Sequence, residues 1–270
     1  MNHTTQHIAR ITTRHLSIGY THKGEQLLIA KELNLHADKG NFVAIIGKNG
    51  SGKSTLLRTL AGIQSPLSGN INIRNQKITD YTANELAQQM AVVFTEPLPD
   101  SLLQVHELIS LGRQVYTNWM DQLTEKDMAV MDTAIELTGI RPLLSRFYNE
   151  LSDGQKQKAL IARAITQDTP ILLLDEPTAH LDIHHRMESF LLLKKLATTY
   201  QKTIIIATHE IGLAMQLADA IWLLDQQQIQ AGTPEVFIEN DTISAVFDSD
   251  LIEFNARSGS FKYKEKPLNL

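Results

Sequence analysis

Cysteine is absent from the 270 residues, which excludes a disulfide framework and any thiolate metal site and is consistent with a reducing compartment. Long apolar runs are missing too: none approaches the roughly 18 residues that a membrane span needs, and the polar start Met1-Asn2-His3-Thr4-Thr5-Gln6 has no signal-peptide pattern. The expectation is a soluble chain whose work at a membrane goes through a partner. A surplus of positive charge is also lacking. The formal net charge of -5 argues against a protein built to grip nucleic acid. What remains is ordinary globular material, 43% hydrophobic and 20% charged, enough for one large core or two modest ones and against disorder. The ten histidines are scattered. His184 and His185 are adjacent, but helical neighbours point about 100° apart, so no metal site is expected there.

The most informative stretch is Gly47-Lys48-Asn49-Gly50-Ser51-Gly52-Lys53-Ser54-Thr55, set between the apolar runs Phe42-Val43-Ala44-Ile45-Ile46 and Leu56-Leu57. A strand that ends at Ile46 and a helix that begins near Lys53 leave glycines to wrap closely round an anion, with unpaired helix N–H groups aimed at it. Phosphate is the natural occupant. Lys53 adds a full charge at the β and γ phosphates, the Ser54 hydroxyl is placed to ligate Mg²⁺, and Thr55 is placed to bond an α-phosphate oxygen. This is a Walker A motif, and it predicts ATP and Mg²⁺ as cofactors.

Three apolar runs read as buried parallel strands: Phe42 to Ile46, Ile171 to Leu174 and Ile204 to Ala207. Each passes at once into polar or flexible residues, and in open α/β sheets ligands sit beyond the carboxyl ends of the strands. Three distant segments therefore converge on one site. Leu33, Leu35 and Ala37 alternate with Asn34, His36 and Asp38, and Ile71 and Ile73 with Asn70, Asn72 and Arg74, as in a half-exposed antiparallel sheet. Val105 to Arg113, Glu125 to Thr138 and Gln155 to Thr166 are helical in pattern. Phe190, Leu193, Ala197 and Tyr200 form an apolar helical stripe for core packing. From Thr233 onward periodicity is weak, and a solvated tail is expected.

Leu151-Ser152-Asp153-Gly154-Gln155, then Ile171 to Asp175-Glu176, Ala179-His180-Leu181-Asp182 and Thr208-His209 follow the phosphate loop in order. With Tyr20, in Leu16-Ser17-Ile18-Gly19-Tyr20, these six motifs resemble those of the ABC transporter ATPases over nearly the whole chain. The match is to the nucleotide-binding subunits of bacterial importers for ferric siderophores, haem or cobalamin. The resemblance implies an α/β P-loop NTPase (RecA-like) core with a parallel sheet, an N-terminal antiparallel β subdomain and an inserted α-helical subdomain. It implies a single cassette over 8–235, with its helical insertion over 96–167, and a tail over 236–270. Tyr20 is then the platform for adenine; Gly47, Asn49, Gly50, Ser51, Gly52, Lys53, Ser54 and Thr55 hold ATP; Asp175 holds Mg²⁺ with Ser54. Glu176 polarises the attacking water and His209 bonds the γ-phosphate. Leu151, Ser152, Gly154 and Gln155 form the signature that meets ATP bound to another copy, and Asp182 of the D-loop sits at that dimer interface. One chain holds one phosphate loop and one signature. The resemblance thus implies a head-to-tail dimer, two membrane-spanning permease subunits, a substrate-binding protein reached indirectly, and a place on the cytoplasmic face of the inner membrane.

The sequence departs from the family where a glutamine normally touches Mg²⁺. After Ala91-Val92-Val93-Phe94 it has Thr95-Glu96-Pro97, and either Thr95 or Glu96 is expected to replace that glutamine. Asp153 stands where the signature usually has glycine; a carboxylate there would repel phosphate, so its side chain is expected to point away. Two rival readings share the motifs: the ATPase of an exporter or lipoprotein-release system, and a soluble ABC protein acting on ribosomes or DNA. The second usually carries paired cassettes or long coiled coils, which are absent here. The intact Lys53, Asp175, Glu176 and His209 argue against an inactive cassette.

Overall fold

The computed structural model describes residues 9–94, 102–117, 122–179, 181–248, 251–255 and 259–264. The chain begins with β1 (Ala9–His22), β2 (Glu25–Leu33), β3 (His36–Asp38) and β4 (Phe42–Ile46), then α1 (Lys53–Leu60), β5 (Ser68–Ile73), β6 (Gln76–Lys77), α2 (Ala83–Gln89) and β7 (Met90–Val93). Helices follow: α3 (Val105–Ser110), α4 (Glu125–Thr138) and α5 (Asp153–Thr166). The second half of the core runs β8 (Ile171–Asp175), α6 (Ile183–Thr198), β9 (Thr203–Ala207), α7 (Ile211–Leu217), β10 (Ala220–Asp225) and β11 (Gln228–Gly232). The chain ends with α8 (Pro234–Glu239), α9 (Thr242–Phe247), β12 (Ile252–Asn255) and β13 (Ser260–Tyr263).

The main sheet has the order β11-β10-β4-β9-β8-β7, parallel except for β11 on its edge. Every residue of β4, β8 and β9 is buried, as unbroken aliphatic runs demand when both faces of a parallel sheet are covered. Alternate residues feed different cores. Phe42, Leu172, Leu174, Ile204 and Ile206 pack with the helices α3, α5 and α6, whereas Val43, Ile45, Leu173 and Ile205 pack with α1 and the second sheet. That second sheet is antiparallel, ordered β2-β1-β5-β6 with β3 also on β1. Leu33, Leu35, Ala37, Ile71 and Ile73 point inward from it while Asn34, His36, Asn70 and Arg74 face solvent, which is the alternation the sequence carries.

The α/β P-loop architecture is the one expected, with differences in detail. A 3₁₀ turn over Leu111–Arg113 takes over where α3 ends. α5 begins two residues before Gln155 because Ser152 caps it: the Ser152 hydroxyl accepts from the Gln155 N–H, and the Gln155 side chain accepts from the Ser152 N–H. Phe190, Leu193 and Ala197 are buried as the stripe requires, but Tyr200 is 41% exposed, because α6 stops at Thr198 and Tyr200 lies beyond it. β10 and β11 lie outside the three runs read as core strands.

The expectation of a solvated tail is corrected. Phe237, Ile243, Val246 and Phe254 are buried against Ala44, Ile46, Ile221 and Leu223 of the main sheet. Phe254 and Phe261 pair across the terminal hairpin with ring centroids 4.9 Å apart. Gly259 lies directly against Gly212 of α7 with no room for a side chain between them. Two six-residue helices give two and three inward positions, too few for a helical period to show in the sequence.

Candidate functional site

β4, β9 and β8 are neighbours, so the residues that follow them meet at one end of the sheet. After β4 the chain makes its glycine-rich loop and enters α1 through Gly52, which has φ +108 and whose Cβ would collide with Ile29. Only glycine fits there. No acidic residue occupies the first turn of α1, so no side chain of the helix itself cancels the positive charge at that end. Lys53 folds back: its ammonium donates to the carbonyls of Gly47 at 3.1 Å and Lys48 at 3.4 Å and lies 4.0 Å from Glu176 Oε1. Burial pulls the Lys53 pKa down, and the Glu176 and Asp175 carboxylates oppose this. Within the loop, the Ser51 hydroxyl is buried without a hydrogen-bond partner among the described residues, an orphan that a loop of this kind supplies to a ligand.

The opposite wall comes from β8 and β9. Asp175, the last residue of β8, is buried and accepts a hydrogen bond of 2.9 Å from Ser54 Oγ. Glu176 follows at φ +48 and is held by its N–H donating to Ala207 O at 2.9 Å. Burial raises the Glu176 pKa to about 7, with Lys53 opposing and Asp175 reinforcing the rise. His209 Nε2 lies 2.9 Å from Glu176 Oε1, and burial together with Lys53 lowers the imidazole pKa. At the mouth, Tyr20 from β1 is half exposed, and its hydroxyl shares a 2.8 Å hydrogen bond with Thr55 Oγ1. The resulting cavity of about 400 Å³ is lined by Tyr20, Ile29, Asn49, Gly50, Gly52, Lys53, Ser54, Thr55, Glu176 and His209. A cation, a helix end and a row of backbone N–H groups thus face two carboxylates and an imidazole, which suits a polyanion attacked by water.

The ABC transporter sequence profile matches residues 30–179 of this chain. The chain belongs to the ABC transporter family. As a subunit of that family it binds and hydrolyses ATP. It is 40% identical over 238 residues to a petrobactin import ATP-binding protein of Bacillus anthracis, covering 88% of this chain and 86% of that one. It is 33% identical over 241 residues to an iron(3+)-hydroxamate import ATP-binding protein of Bacillus subtilis, covering 89% and 88%. Among solved structures, an inward-facing ABC transporter described as of metal-chelate type superposes with a TM-score of 0.76 at 28% identity, covering 94% of this chain and 95% of that one.

The other expected site residues of this ABC subunit lie elsewhere. Ser152 is exposed at the N-terminus of α5, Gln155 is partly buried one turn on, and Leu151 is buried in the helical core, so its side chain packs rather than presents itself. Gly154 faces Leu181, whose methyl would stand 3.0 Å from an added Cβ. Asp182 caps α6 through the His185 N–H at 2.9 Å and meets the His185 ring at 2.8 Å. None of these residues lines the phosphate-loop cavity; Gly154, Leu181 and His185 line a separate hollow of about 460 Å³ between α4, α5 and α6. The geometry brings together Tyr20, the phosphate loop, Asp175, Glu176 and His209 and leaves the signature apart. Thr95 and Glu96 lie outside the described residues, as does His180. Ile29 escaped the sequence reading; it stands inside the short apolar run Leu27-Leu28-Ile29-Ala30 of β2, where nothing local marks it as a lining residue.

Proposed function

We propose that this subunit powers a bacterial importer of an iron complex such as a ferric siderophore, with haem and cobalamin as the other chelates of the same class. The observation that carries the reading is the cavity in which the Lys53 ammonium, the α1 N-terminus and Ser54 face Asp175, Glu176 and His209. The cargo rests on the import proteins and the metal-chelate transporter to which the chain is similar.

In this reading Tyr20 stacks on adenine, and the N–H groups from Gly47 through Thr55 hold the phosphates, with Thr55 at an α-phosphate oxygen and Lys53 at the β and γ phosphates. Ser54 and Asp175 offer hard oxygen donors from facing elements, a donor set that fits Mg²⁺. Thr95 or Glu96 adds a third oxygen in place of the usual glutamine. When bound, the cation neutralises charge on the phosphates. Glu176 takes the proton of the water whose oxygen bonds the γ-phosphorus, while the bond from that phosphorus to the β-phosphate oxygen breaks and ADP leaves with the electron pair. His209 holds a γ-phosphate oxygen.

Because Ser152, Gly154 and Gln155 are remote from the phosphate loop of their own chain, they complete the site of a second copy, with Leu151 anchoring them from the core. Two subunits closing on ATP then move two permease subunits, and a substrate-binding protein hands them the cargo. No helix among the described residues is long and apolar enough to cross a membrane; the peripheral place on the cytoplasmic face of the inner membrane belongs to the importer reading and rests on the import proteins to which the chain is similar.

Replacing Glu176 with Gln is expected to lower turnover about 100- to 10,000-fold, or roughly 3–5 kcal/mol, while nucleotide binding survives. Near-normal turnover would remove Glu176 from its role. Native purification of the tagged subunit in mild detergent tests the importer: a many-span permease accompanied by a chelate-binding protein is expected. A few-span permease with a large extracytoplasmic domain would mark an exporter, and ribosomes or DNA alone would overturn transport.

A further inference from the structure

Arg186 lies one turn into α6 and reaches two places at once. Its Nε donates to the carbonyl of Leu181, next to Asp182, at 2.7 Å, and its Nη1 donates to Glu210 Oε1 at 2.8 Å. Glu210 stands beside His209 at the head of α7, and its N–H donates to Thr208 Oγ1 at 3.0 Å. The same contacts close a ring. Glu176 accepts from the Ala179 N–H at 3.1 Å, Thr178 accepts from the Leu181 N–H at 3.2 Å, and His209 returns to Glu176 at 2.9 Å. Arg186 ties Leu181 to the segment 208–210 and is not among the residues that line the cavity.

We infer that Arg186 is a positioning residue that couples the Leu181–Asp182 turn to the His209 segment, so that the placement of His209 against Glu176 follows the placement of that turn. A planar guanidinium suits the task because its fork satisfies a carbonyl and a carboxylate in fixed relative directions, which an ammonium on a flexible stem does not. The inference rests on the roles proposed for Glu176, His209 and Asp182. If a second copy meets this chain at Asp182, its arrival is relayed through Arg186 to the catalytic pair, and the two sites fire in concert.

The test measures ATP turnover, ATP affinity, the Hill coefficient and the thermal midpoint for the full chain and for Arg186→Gln, Glu210→Gln and both together, with Glu176→Gln alongside. Arg186→Lys serves if the glutamine variant fails to fold. The expected result for Arg186→Gln is a fall in kcat of at least about tenfold, ATP affinity within about twofold, and a Hill coefficient moving toward 1. The double variant should be no worse than the poorer single one, because both break the same link. Wild-type turnover and cooperativity in Arg186→Gln would overturn the inference. So would effects of the two substitutions that multiply, or a loss of turnover matched by loss of affinity and of thermal midpoint, which marks a structural role. A fully active Glu176→Gln would instead sink the underlying assignment of the base, whatever Arg186 does.

Discussion

Gly52 shows how much a single backbone angle decides. At φ +108, with Ile29 where a Cβ would go, alanine has neither the conformation nor the space, and strain of about 1–3 kcal/mol is expected at this one position. Gly52→Ala should therefore lose ATP binding, read by nucleotide titration, and unfold at lower denaturant. The glycine, lysine and serine positions of the phosphate loop were legible in the sequence because they fall in one short run of fixed spacing, and Asp175 because it ends an aliphatic strand. What was not legible is how the residues lean on one another: the hydrogen bond between Tyr20 and Thr55 spans 35 positions, and the one between Ser54 and Asp175 spans 121. No local pattern reports such pairings.

Among the elements, the helical region between β7 and β8 is braced by a buried ion pair. Arg113 Nε and Nη2 each lie 2.8 Å from Asp127 Oδ1, Arg113 Nη1 donates to Thr166 O at 3.0 Å, and its guanidinium stacks 4.1 Å from the Tyr116 ring. Three elements meet at one cation. Arg113→Ala leaves a buried carboxylate behind and should cost about 3 kcal/mol in denaturant unfolding. Asp127 is held down at a pKa of about 2, first by the Thr124 hydroxyl and N–H and then by Arg113. A carboxyl depressed in the folded state stabilises it above the unfolded value near 4 and loses that contribution as pH falls toward 2. The acid limb of a stability profile should be shallower in Asp127→Asn. Helix positions in this region were readable from their pattern. The pair was not, since neither an arginine after α3 nor an aspartate in α4 declares its partner.

For the whole molecule, the proposal that Ser152 and Gly154, apart from the phosphate-loop cavity of their own chain, complete the site of a second copy predicts that assembly is a condition of activity. In Glu176→Gln, ATP should convert the chain from monomer to dimer in sedimentation, and ADP should not. Turnover of the parent should rise faster than linearly with protein concentration below the dimer's dissociation constant. The central strands β4, β8 and β9 of the main sheet were readable from their aliphatic runs, whereas the strand order and the places of β10 and β11 were not. The packed C-terminal layer was not, because its helices are too short to carry a period.

That C-terminal layer also sets the timing of folding. Ala44 and Ile46 are covered by Phe237 and Ile243, which leave the ribosome roughly 10–40 s later at ordinary synthesis rates. Until then the nascent chain already holds every nucleotide-binding motif, yet the face of Ala44, Ile46, Ile221 and Leu223 is covered in part by α7 and still lacks Phe237, Ile243, Val246 and Phe254. The chain is most in need of a chaperone during the last stretch of its own synthesis, and premature termination in that stretch yields an aggregating species rather than a smaller working ATPase.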